Sequence, residues 1–189
     1  MIDTSARRST LVQRMLRAAK LEPAVYEEVE ADQTATTQAA IVVVIAAAAA
    51  GIGGALRATT RGEPESVVGA LIGGIIGSVI GWLVWSYLTY FLGTRMFSGT
   101  ATPGEMLRTI GFANAPGVLN ILAFVPVVGG IVQLVVYFWL LVAGVVAVRQ
   151  ALDFDTGKAI LTTVIGWLAL AIIPFLLAAI GLGAAFALF

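Results

Sequence analysis

The sequence contains no cysteine and no histidine. Without thiols there is no disulfide framework, no thiolate metal site and no sulfur nucleophile. Without imidazole the commonest general base and the commonest metal ligand are missing. Charge is also scarce: Asp, Glu, Lys and Arg make up 12% of the chain, against about 25% in soluble domains. The 11 basic and 11 acidic residues cancel, so the basic surface needed for nucleic acid is lacking. No charged residue lies in the middle of any long apolar run. Pumps and proton-coupled transporters normally mark their pathway with such residues. These absences exclude most enzyme classes, and the sequence offers no catalytic, cofactor-binding or metal-ligating set.

What is abundant is apolar surface. Hydrophobic residues make up 59% of the 189, with a mean hydropathy of +0.97. A soluble domain of this length leaves about 30% of its unfolded surface exposed and could not hide so much; a lipid solvent removes the difficulty. The charge-free runs map the chain. Gln33–Leu56 has 24 residues, Ser66–Thr94 has 29, Thr109–Val148 has 40 and Ala159–Phe189 has 31. A spanning helix needs roughly 20. The run of 40 is about twice the hydrocarbon thickness and must fold back at the turn signal Pro126-Val127-Val128-Gly129-Gly130. The last run is read as one span kinked at Pro174, with a further partial crossing as the alternative.

The expected fold is therefore an all-α integral membrane protein, a bundle of five transmembrane helices with a cytoplasmic amphipathic N-terminal segment. Residues 1–36 form that segment and residues 37–189 the membrane domain, with spans near 37–56, 67–93, 107–125, 131–152 and 157–180. The start lacks the early apolar run of a cleavable signal peptide, so the chain is read as mature. Thr102-Pro103, with Glu105 in the first turn, opens the third span, and Asp155-Thr156 caps the last. Orientation follows from Lys and Arg. With the N-terminus inside, Arg7, Arg8, Arg14, Arg17, Lys20, Arg95, Arg108, Arg149 and Lys158 lie inside, and only Arg57 and Arg61 outside. The protein is thus expected in the cell membrane, N-terminus cytoplasmic and C-terminus out.

Four features invite a functional reading. In the N-terminal segment, Leu11, Val12, Met15, Leu16 and Ala19 share one helical face, with Arg14, Arg17 and Lys20 opposite. This suggests an interfacial helix drawn to anionic lipid, with Arg108, Arg149 and Lys158 as further headgroup contacts. A second short helix is expected from Pro23. Gly69, Gly73, Gly77 and Gly81 recur every four residues in the second span. They suit close helix packing, either inside one bundle, the favoured reading, or between copies in a homo-oligomer. The third span carries Gly111, Asn114, Pro116 and Asn120, a broken-helix motif of the kind that forms binding sites in transporters, or a kink satisfied by its neighbours. The acidic run Glu22, Glu27, Glu28, Glu30 and Asp32 could bind a divalent cation; a solvated helix face is the favoured reading. Trp82, Trp85, Tyr87, Tyr90 and Phe91 are read as interfacial anchors. Gly51-Ile52-Gly53-Gly54 lies inside an apolar run and carries no nucleotide-binding meaning.

The assembled pattern resembles the Yip-domain family, the Ypt/Rab-interacting membrane proteins and their prokaryotic relatives. The resemblance rests on four stretches: Glu22-Pro23-Ala24-Val25-Tyr26-Glu27-Glu28-Val29, Gly111-Phe112-Ala113-Asn114-Ala115-Pro116, the run from Trp139-Leu140-Leu141 to Ala147-Val148-Arg149, and Asp155-Thr156-Gly157-Lys158-Ala159. It implies five spans and a cytoplasmic N-terminus. The compact chain, without a long N-terminal extension, is similar to the prokaryotic members. The expected function is a non-enzymatic scaffold acting through helix packing, membrane lipids and protein partners that the sequence does not identify. The alternative is transport of a small molecule, ion or lipid through the broken third span, lined by Asn114, Asn120, Gln133 and Thr163.

Overall fold

A computed structural model describes residues 9–60, 62, 67–169 and 172. Among them the chain is helical, in the order α1 (Leu11–Ala19), α2 (Pro23–Ala31), α3 (Ala35–Thr60), α4 (Val67–Met96), α5 (Pro103–Ala113), a 3₁₀ helix η1 (Ala115–Phe124) and α6 (Val128–Ala151). A further helix, α7, covers 156–169. Three of these helices are long and apolar enough to cross a membrane: Ala35–Thr60, Leu71–Met96 and Val128–Ala151. They lie over the stretches expected as the first, second and fourth spans. The fifth begins as expected, and its continuation to 180, with Pro174, lies outside the described residues.

The third expected span departs from a kinked helix. Pro116 lacks the N–H that would bond four residues back. Here the α-helix ends before the proline: Asn114 closes α5 with its N–H on Gly111 and Phe112, and the chain continues as 3₁₀ helix to Phe124. At about 1.5 and 2.0 Å per residue, the 11 and 10 residues of α5 and η1 extend roughly 16 and 20 Å.

Local signals set the ends. Thr102 and Glu105 form a reciprocal capping box on α5, with Pro103 in the first turn, and Asp155 Oδ1 accepts the Lys158 N–H at the start of α7. α1 and α6 both stop in Schellman motifs. Leu21 and Asp153 take φ of 61° and 53°, with Glu22 N–H on Arg17 O and Phe154 N–H on Arg149 O. The turn at Pro126 is tighter than a loop: Val127, at φ 65° and ψ −53°, lets the Val128 N–H reach Pro126 O at 2.7 Å. This is a γ-turn of the rarer hand.

The core runs through a seam of small residues on α3. Ala39, Ala46 and Gly53 recur every seven residues and face the third segment. A Cβ on Gly111 would sit 2.6 Å from Ala39 Cβ, one on Gly117 would sit 3.1 Å from Ala46 Cβ, and one on Gly53 would strike the Asn120 carbonyl oxygen. Backbones pack this closely only where side chains are absent.

Candidate functional site: a clamped headpiece on a broken segment

α1 and α2 form an antiparallel hairpin at the end of the bundle where α3 and α5 begin and α6 ends. Arg14 is its centre. The side chain is 3% exposed, and its guanidinium donates to Glu28 Oε1, Gln38 Oε1 and Asp32 Oδ2, each at 2.9 Å. One side chain thus ties α1 to α2, to the turn before α3 and to α3 itself. Arg17 adds Glu22 at 3.0 Å and Glu28 at 2.5 Å. The Tyr26 hydroxyl, fully buried, donates to Ala18 O at 3.0 Å. Burial alone would raise the Glu28 carboxyl, but the hydrogen bonds from Arg17 and Arg14 outweigh it and hold it below its ordinary value.

The hairpin is fastened to the bundle by three side chains of α5 and α6. Arg108 of α5, 6% exposed, donates to the backbone carbonyls of Val29 and Glu30, capping the end of α2. Gln150 of α6 donates to Glu27 at 2.7 Å, and Trp139 Nε1 donates to Ala19 O at 2.8 Å. The contact with headgroups expected of Arg14 and Arg108 is therefore corrected: both guanidiniums are engaged inside the protein. Arg17 is half-buried in the same knot. Lys20, Arg149 and Lys158 remain exposed, Lys158 lying 5.7 Å from the Phe154 ring. With its charged face turned onto α2, α1 leaves Val12 and Leu16 of its apolar face outward, at 63% and 59% exposure, while Leu11, Met15 and Ala19 pack against the core.

The acidic run is divided by this arrangement. Glu22, Glu28 and Asp32 are partners of Arg14 and Arg17, while Glu27 and Glu30 line a cavity of about 660 Å³ with Glu105, Arg149 and Asp153. Burial first, then the charges of Glu105 and Asp153, push the Glu30 carboxyl up to about 7. Among the described residues no cluster of three or more carboxylates could hold a metal ion, so the divalent-cation reading finds no support there.

The broken segment places its motif residues in two different surroundings. Gly111 is the contact with Ala39. Asn114 donates its amide to Ile110 O at 2.9 Å and lines a pocket of about 240 Å³ with Ser78, Trp82, Trp85 and Trp167. Pro116 is buried on the other side, beside α1. Asn120 meets Gly53 through its backbone. Nearby, Trp85 Nε1, Ser86 Oγ, Thr162 Oγ1 and Thr163 Oγ1 are buried without a hydrogen-bond partner among the described residues. Gln133 belongs to the far end, where Arg57 donates to it at 2.7 Å.

Two sequence expectations change on the helix surfaces. Trp82 is buried and donates to Leu107 O at 3.0 Å, so it locks α4 to α5 and is not an interfacial anchor. Gly73 and Gly77 face outward, and a Cβ on either, or on Gly81, meets no described atom within 4 Å. Among the described residues close packing of this kind falls along Ala39, Ala46 and Gly53. The seven-residue spacing of those small residues was the available signal.

No curated protein and no solved structure matches the chain. One family model does, that of the Yip1 domain, over residues 21–186. The match begins at the Leu21 turn of the headpiece and covers the bundle, and on this evidence the chain is a membrane protein belonging to the Yip1-domain family.

Proposed function

We propose that this protein is a non-catalytic organiser of the cell membrane, a five-crossing bundle with its N-terminus cytoplasmic and C-terminus outside. In this reading α5 and η1 together form the third crossing, since their combined length exceeds the roughly 30 Å of hydrocarbon. The observation that carries the reading is the clamped α1. Its arginines hold it from behind, and Val12 and Leu16 are set outward as a rigid wedge for the cytoplasmic leaflet. The face of Gly73, Gly77 and Gly81, which meets no described side chain, offers α4 to a second helix, from another copy or from a protein partner.

Reconstitution into vesicles tests this. Increasing the protein-to-lipid ratio should shrink vesicle diameter, and Val12→Gln with Leu16→Gln should abolish the effect while leaving thermal stability intact. Diameters unaffected by either protein would overturn the organiser reading. A second reading, translocation beside Asn114, is favoured by the buried hydroxyls of Ser86, Thr162 and Thr163, which have no partner among the described residues. It requires solute flux or lipid scrambling that Asn114→Leu reduces.

A further inference from the structure

A groove of about 560 Å³ lies between α1, α3, η1 and α6, walled by Leu16, Ile45, Pro116, Leu119 and Trp139 with Lys20 among its lining. The 3₁₀ segment after Pro116 forms one wall, and the Arg14 knot holds α1 across from it. The groove offers a ligand almost no polar group. The Trp139 N–H is engaged by Ala19 O, and Lys20 is the one charged residue of the described lining. Its volume falls within the about 300–1,000 Å³ typical of small-molecule sites.

Depth and charge select the occupant. Ile45 lies ten residues into α3 from Ala35, about 15 Å along the axis, which is half of the roughly 30 Å hydrocarbon core. An apolar channel reaching one leaflet deep, in a wall facing the bilayer, fits an acyl chain. Arg14 and Arg17 are engaged with carboxylates, so among the described residues of this site Lys20 is the cation left to meet a phosphate.

We infer that the groove holds one acyl chain of an anionic phospholipid from the leaflet that α1 faces, with Lys20 on the headgroup side. The inference deepens the organiser reading and rests on the same outward face of α1. It is tested on the full chain in detergent by native mass spectrometry, with phosphatidylglycerol and phosphatidylcholine of identical chains. One phosphatidylglycerol should be retained per protein, at least about fivefold over phosphatidylcholine. Leu119→Trp, which fills the groove, should lose the lipid. Lys20→Gln should bring the two lipids toward parity. Val12→Gln, at an exposed residue that also lines the groove, serves as a second groove variant should Leu119→Trp fail to fold. Retention of neither lipid by the wild type, or undiminished retention by the groove variants, refutes the site. Vesicle shrinkage that persists without a retained lipid would sink this site alone and leave the organiser reading standing.

Discussion

Arg14 joins three elements through one guanidinium, so its loss should be felt beyond α1. Removing one partner of a buried ion pair costs about 3–5 kcal/mol when the other charge stays buried. Glu28 and Asp32 retain 29% and 23% exposure and can recover water, so Arg14→Ala should cost roughly 2 kcal/mol. Thermal unfolding in detergent measures the loss, and new protease cleavage between residues 20 and 34 would show that the hairpin has opened. Glu30 makes a pH prediction. Its folded value of about 7 lies above the ordinary 4.5. Its contribution is fully present below pH 4.5 and is lost as pH rises through 7. Glu28 and Asp32 are held low, so their contribution is lost only as pH falls below the ordinary carboxylate range. Melting temperature should therefore decline from pH 5 to pH 8, and Glu30→Gln should flatten that slope. An unchanged slope would mean that another group controls it. Val127 is a β-branched residue at φ 65° and is 87% exposed. Val127→Gly should raise stability by about 1 kcal/mol in the same melts, because glycine adopts this conformation without strain.

Among the elements, α3 and α4 exchange the roles that their sequences suggest. α4 has the more regular glycine repeat, yet Gly73, Gly77 and Gly81 meet no described neighbour. α3 reads as a featureless alanine run, yet its Ala39, Ala46 and Gly53 form a close backbone interface with the third segment. The two helices can be told apart experimentally. Gly53→Leu would drive a side chain into the fixed Asn120 carbonyl and should cost more than about 3 kcal/mol, or prevent folding. Gly77→Leu should leave the monomer's melting temperature unchanged and weaken only association, read by crosslinking or energy transfer in bilayers. Equal damage from both would contradict this division. The break at Pro116 could be located from sequence because proline lacks a donor. Its form, ten residues of 3₁₀ helix in place of a kink, depends on Gly53 and Gly117 letting the irregular backbone lie against α3.

For the molecule as a whole, the Lys and Arg asymmetry agrees with how the helices assemble. Arg14, Arg108 and Arg149 gather around the headpiece, while Arg57 pairs with Gln133 at the opposite end. A reporter fused after Phe189 should signal outside the cell; an internal signal would require an even number of crossings.

Charge-free length alone located the long apolar helices, and one Pro/Gly turn divided the run of 40, because hydrocarbon excludes charge over a fixed thickness. Chain-local chemistry also placed the caps at Thr102 and Asp155. Composition ruled out thiol and imidazole chemistry outright. The direction of α1 could not be read this way. An amphipathic helix has two faces, and its wheel does not say which one meets the protein. Assembly settled it by bringing Glu28, Asp32 and Gln38 to Arg14, so that the arginines turned inward and Val12 and Leu16 outward. The groove beneath α1 is likewise a property of the assembled chain, since its walls come from four segments that are distant in sequence and meet only when α3 and the broken segment pack.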